Sequence, residues 1–165
     1  MSRGLGDVYK RQEYKFGFLP WITGILMFFM SFTAAFAASQ LVKLSDRYTV
    51  KWLLAFSYVF YAISLFLLMV AKSFVGLMVS VIIFGMGHGI NIPSMHSLTT
   101  EITSRKNRGA VISLREVFFK LSGTLAPLMM GFLYTLNGID AVYLFSAIYS
   151  LGIFVLLFFS FKKIF

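Results

Sequence analysis

The sequence predicts an all-α, polytopic helix bundle set in a membrane, and three observations carry that prediction. Hydrophobic residues fill 59% of the 165 positions and charged residues only 13%, against about 45–50% and about 25% in soluble domains. So large an apolar excess cannot be enclosed in one globular core and must face lipid. The charges are gathered into short segments between long uncharged runs. A helix needs about 20 residues to cross a hydrocarbon layer about 30 Å thick, and each run meets that length. Helix is the required form, because open strands leave backbone polar groups unpaired in lipid and barrel strands would be about half as long.

Residues 1–15 stand apart, being polar and basic with no apolar core of their own. They do not form a signal peptide, because no small-residue cleavage site follows and the next apolar run is too long. The wording of 1–12 resembles translated adapter sequence, so 1–15 is read as a non-native or disordered tail on a protein whose beginning is missing. A partial helix-bundle domain follows over 16–165, with spans at about 18–42, 51–71, 74–98, 110–136 and 141–161. The charge-free run before the fifth span ends in Asn137-Gly138, a turn dipeptide, which separates the fourth span from the fifth.

Lysine and arginine set the orientation. Lys43, Arg47 and Lys51 follow the first span, Arg105, Lys106 and Arg108 the third, and Lys162 and Lys163 the fifth. Those eight basic residues share one side; the opposite loops hold only Lys72. The basic-rich side is the cytoplasm by the positive-inside rule, which also puts the C-terminus there. The tail, with Arg3, Lys10, Arg11 and Lys15, would then lie outside against the rule, and a further span before Glu13 would remove the conflict.

Several functions are excluded or disfavoured. Without cysteine there is no disulfide, thiolate nucleophile or cysteine metal site. The net charge of +9 would suggest nucleic acid in a soluble protein; here the basic residues lie in membrane-face loops, so no nucleic-acid partner is expected. No glycine-rich phosphate loop is present. His88 and His96 lie two helical turns apart, too far to share one ion without other ligands, so no metal is expected. The expectation is a non-enzymatic chain with no cofactor.

The loop after the first span reads Val42-Lys43-Leu44-Ser45-Asp46-Arg47-Tyr48-Thr49-Val50-Lys51. It resembles the signature loop of the major facilitator superfamily, Gly-x-Leu-x-Asp-Arg-x-Gly-Arg-Arg/Lys. Leu44, Asp46, Arg47 and Lys51 match, while Val42, Thr49 and Val50 depart at both glycines and one arginine. The resemblance continues in the glycine-rich stretch from Gly85 through Gly89 to Pro93, in Arg108-Gly109, and in Gly123, Pro127 and Gly131 at four-residue spacing. It implies five of the six helices of a major-facilitator half, the C-terminal one, with an N-terminal half of the same transporter as partner. It also implies that the first, third and fourth spans line a central cavity and that Asp46 caps a helix of the opposite half. A solvated loop is the plainer reading of Asp46 and Arg47.

The residues themselves offer further candidates. Small residues allow helices to approach closely in lipid, which suits Gly85 and Gly89 in the third span and Ala34, Ala35, Ala37, Ala38 and Ser39 in the first. Pro127 lacks a backbone donor and is a packing or hinge point with Gly123 and Gly131. His88, Asn91 and Met95 share one helical face, which should point at a cavity or another helix. His88 is either a proton relay or an interhelical hydrogen-bond partner. Glu116 and Lys120 are four residues apart and are expected to pair, with Arg115 beside them at the interface. Lys120 is either a snorkelling lysine or a cavity-lining cation that meets solute.

The functional expectation is a secondary transporter in the membrane, with the bacterial inner membrane as the expected site. It would work by alternating access, with protons and a small solute as partners besides the lipid bilayer. Trp21, Met27, Met30, His88 and Met95 suit an apolar or amphipathic solute, and Gly89 to Gly131 resembles the multidrug-efflux branch, so proton-coupled efflux is favoured. Uptake of a sugar, nucleoside or organic acid, and a non-transporting membrane scaffold, are the alternatives.

Overall fold

The structure, a computed structural model, describes residues 20–162; the tail 1–15, the beginning of the first span and Lys163 lie outside the described residues. Among the described residues every regular element is helical. Helix α1 spans Pro20–Ser45, α2 spans Val50–Val70 and α3 spans Phe74–Ile102. The last tract, Arg108–Lys162, contains one non-helical residue, Gly138, at φ 78° and ψ −176°. A continuous helix of 55 residues would measure about 80 Å at about 1.5 Å per residue, far beyond a hydrocarbon layer of about 30 Å. The tract is accordingly two helices, α4 (108–137) and α5 (139–162), joined where a left-handed glycine breaks the run.

The tracts are long and apolar enough to cross a membrane, and the chain is an integral membrane helix bundle. Several helices outrun the hydrocarbon. α3 continues to Ile102, past the span edge expected near residue 98. Its last turns carry Thr99 and Thr100, whose hydroxyls donate to the Met95 and Ser97 carbonyls at 2.7 Å each. At its other end Ser73 caps α3, accepting from the Gly76 amide at 3.2 Å. Pro93 and Pro127 lie inside α3 and α4 without ending either helix.

Helix α3 is the hub, packed against both α1 and α2. Its glycines explain how it serves two neighbours. A Cβ on Gly85 would strike Thr33 Oγ1 and lie 2.5 Å from the Met30 carbonyl oxygen. A Cβ on Gly89 would strike the Ala34 carbonyl oxygen and lie 2.8 Å from its carbon. Both glycines therefore seat α3 on α1. Gly87 points the other way, where a Cβ would lie 2.9 Å from Phe60 Cβ and 3.1 Å from the Ser57 carbonyl oxygen of α2. Residue numbers rise together across α1 and α3 and run oppositely across α2 and α3, so the first pair is parallel and the second antiparallel.

α5 packs on the far side of α2 through aromatic rings. Trp52 meets Phe158 at 5.3 Å between ring centroids, and Phe56 meets Phe154 at 5.9 Å. The closest packing lies around Ala37, Leu53 and Ile90, with Leu41, Leu44 and Phe60 against them. Ser57, Ser64, Ser80 and Ser94 are wholly buried, while Phe28, Phe32, Phe36, Phe132 and Phe159 are exposed. Small polar residues inside and large apolar ones outside are what a bilayer solvent selects.

Candidate functional site

Polar chemistry gathers in three places. The first is a seam between α2 and α3. Tyr61 Oη and His88 Nδ1 are 3.1 Å apart, near the middle of both helices. Asn91 Nδ2 donates to Ser57 Oγ at 2.8 Å, and Ser57 Oγ in turn donates to the Leu54 carbonyl at 2.7 Å. Ser64 Oγ donates across the seam to the Ser80 carbonyl at 2.8 Å. The His88 ring also stacks on Phe84, with centroids 6.1 Å apart and planes 19° apart. Ser94 Oγ is buried without a hydrogen-bond partner.

Of the trio His88, Asn91 and Met95, the structure thus brings two to α2, whereas Met95 remains exposed. The rotation of α3 is fixed by glycines against both neighbours, and that rotation turns His88 and Asn91 into the seam. Tyr61 engages His88 Nδ1; among the described residues no hydrogen-bond partner meets Nε2. Sequence reasoning did not find Ser57, Tyr61 and Ser64. Their spacing of four and three residues puts them on one face of α2, and that polar stripe in an apolar helix was the available signal.

The second place lies at the basic end of the bundle, where α3 meets α4. Arg115 Nη1 is 2.7 Å from His96 Nδ1, and Nη1 and Nη2 are each 3.3 Å from His96 Nε2. Glu116 Oε1 stands 3.7 Å from Arg115 Nη1. Glu116 therefore pairs with its neighbour Arg115 and not with Lys120, which corrects the pairing expected from their four-residue spacing. Arg115 Nη1 faces both the His96 ring and the Glu116 carboxylate. About two turns nearer the helix start, Arg108 Nη2 donates to the Thr100 carbonyl at 2.9 Å, and Arg108 Nε is buried without a partner.

The third place is the open face of α4. Lys120, Gly123, Pro127 and Gly131 are all exposed, and a Cβ built on Gly123 or Gly131 meets nothing within 4 Å. No described helix covers these expected packing positions. Lys120 makes no ion pair among the described residues. The signature-loop residues lie in and beside the α1–α2 turn. Asp46 and Arg47 are exposed there, and the Arg47 and Tyr48 amides donate to the Leu44 carbonyl at 3.1 and 2.8 Å. Leu44 packs against the core cluster, and Lys51 lies in the first turn of α2. Among the described residues no group of three His, Cys, Asp or Glu side chains could hold a metal ion.

A family model described as Major Facilitator Superfamily matches residues 13–163. Two relatives carry the name multi-drug resistance efflux pump PmrA, from Streptococcus pneumoniae serotype 4 (strain ATCC BAA-334 / TIGR4) and from strain ATCC BAA-255 / R6. Each is 29% identical over 111 residues, a stretch that covers 67% of this chain and 28% of the relative. The chain therefore corresponds to well under half the length of the relatives it matches.

Proposed function

The chain belongs to the major facilitator superfamily, and on that premise we propose that it forms part of a proton-coupled efflux transporter for small apolar or amphipathic solutes. The observation that carries the reading is the family match across 13–163. Similarity to proteins named as multidrug efflux pumps supports the efflux direction. In this reading the basic end is the cytoplasmic side of a bacterial inner membrane. A second, N-terminal half of the same transporter faces α1, α3 and α4, and the two halves rock about a site near the membrane midplane.

The open face of α4 then lies on the solute path. Lys120 sits about one turn inside the membrane edge, where a lysine reaches water along its stem. With Glu116 occupied by Arg115, its charge is available to solute or to the other half. Exposed Trp21, Met27 and Met95 supply apolar surface on α1 and α3. His88, held by Tyr61 through Nδ1, retains Nε2 for a proton. Asp46 and Arg47 are exposed at the basic end, where a helix N-terminus of the other half would favour the aspartate charge.

The test is efflux of a fluorescent lipophilic cation from cells expressing the native reading frame in full. Export should stop when an uncoupler collapses the proton gradient, and should fall in Lys120→Ala and His88→Ala at unchanged expression. Uncoupler-insensitive probe levels would overturn proton coupling. Net accumulation of the probe would favour uptake, and full export by both variants would overturn the site assignment.

A further inference from the structure

The pair His96 and Arg115 joins two helices that otherwise meet sparsely. α3 and α4 make few contacts, and their side-chain ties among the described residues are this pair and Arg108 on the Thr100 carbonyl. The chemistry of the pair is one-sided. A guanidinium carries donors only and stays charged at every physiological pH. Any hydrogen bond between the two therefore has His96 as the acceptor, with Arg115 Nη1 2.7 Å from Nδ1 and 3.3 Å from Nε2, and an imidazole can accept only when it is neutral.

We propose that His96 and Arg115 form a proton-operated clasp that holds α3 to α4 at the basic end of the bundle. In the closed form, neutral His96 accepts from Arg115, and Glu116 balances the guanidinium from 3.7 Å. A proton arriving from water binds the free lone pair of the ring, so the acceptor is lost and imidazolium faces guanidinium. Arg115 keeps Glu116 on its own helix, so α4 retains a satisfied charge while its tie to α3 is removed. No bond other than the new N–H forms or breaks. Histidine is the side chain suited to this task, because its charge changes between about pH 5 and 8.

At this end α1 contributes Lys43 and α2 Lys51, the turn between them Asp46 and Arg47, and α4 Arg108, Lys120 and the carboxylate of Glu116 besides Arg115. The five cations cannot stabilise an imidazolium, and Glu116 stands 3.7 Å from the Arg115 guanidinium. Glu101, on α3 itself, is five residues further along, which turns it to a different side of the helix from His96. The contact that the structure gives His96 is with Arg115.

The inference rests on the transporter reading for its purpose. Protonated His96 frees the cytoplasmic ends of α3 and α4 and admits solute from that side. Loss of that proton re-forms the clasp behind the solute.

The clasp can be tested by spin labels on Ser97→Cys and Leu114→Cys, with the full-length protein in lipid nanodiscs and any cysteine outside these 165 residues, which hold none, replaced by serine. At pH 8 the expected result is a single short distance. At pH 5 a longer-distance population should grow. In His96→Gln, whose amide oxygen accepts from Arg115 at any pH, the short distance should persist at pH 5. In His96→Lys the longer distance should dominate already at pH 8. An unchanged wild-type distribution, or an equal shift in His96→Gln, would overturn the proposal. The distances are read without solute, so failure of the clasp and failure of the transporter reading show in different assays.

Discussion

Gly89 of α3 lies so close to Ala34 of α1 that a single added methyl group would overlap the Ala34 carbonyl oxygen and stand 2.8 Å from its carbon. The neighbour is backbone, which cannot move aside by changing a rotamer. Gly89→Ala should therefore push α1 from α3 and destabilise the bundle by about 1–3 kcal/mol, the usual cost of overpacking. Gly123→Ala, on a face with nothing within 4 Å, should change stability by less than about 0.5 kcal/mol. Thermal unfolding of both variants in one detergent measures the difference, and equal midpoints would refute the parallel α1–α3 contact.

The Asn91–Ser57 hydrogen bond at 2.8 Å predicts a measurable coupling between α2 and α3. Interhelical hydrogen bonds in membranes average about 0.6 kcal/mol and reach about 1.7 kcal/mol. A double-mutant cycle with Ser57→Ala and Asn91→Leu should return a coupling energy within that range. Additive effects would mean that the two side chains do not meet.

Gly138 is the third specific target. Its φ of 78° with ψ near −176° belongs to a region that is essentially reserved for glycine. Gly138→Val should cost about 1–3 kcal/mol. Its expected signature is faster proteolysis between α4 and α5 than in the parent chain. Unaltered cleavage in the valine variant would show that the two spans are joined differently.

The fold was legible in the sequence because lipid imposes a coarse rule. Charges are costly deep inside a span, so Lys43 to Lys51 and Arg105 to Arg108 mark the loops without any knowledge of packing. Gly85 and Gly89 were also legible, since small residues in an apolar span leave room for a neighbouring backbone. What each face meets was harder to read. His88 and Asn91 share a face in any helix, but whether that face turns to a cavity or to α2 depends on rotation about the helix axis. Here that rotation is fixed by Gly85, Gly87 and Gly89 acting against two different helices. In a soluble helix the apolar stripe would report the rotation, whereas in lipid both the packed and the exposed faces are apolar. The Glu116–Lys120 pairing failed for a related reason. Spacing along one helix says nothing of Arg115 being engaged by His96 from another.

The account's central claim is that the charged, glycine-bearing face of α4 opens on the solute path rather than on lipid. These 165 residues hold no cysteine, so once any in the rest of the protein is replaced by serine, introduced thiols report directly. Gly123→Cys and Gly131→Cys place thiols on the face that carries Lys120, and Leu125→Cys places one on the opposite side of the same helix. In membranes holding the full-length protein, a water-soluble, membrane-impermeant thiol reagent should label the first two, and a transported solute should slow that labelling. Leu125→Cys should resist the reagent. Equal protection of all three thiols, or labelling confined to Leu125→Cys, would contradict the claim.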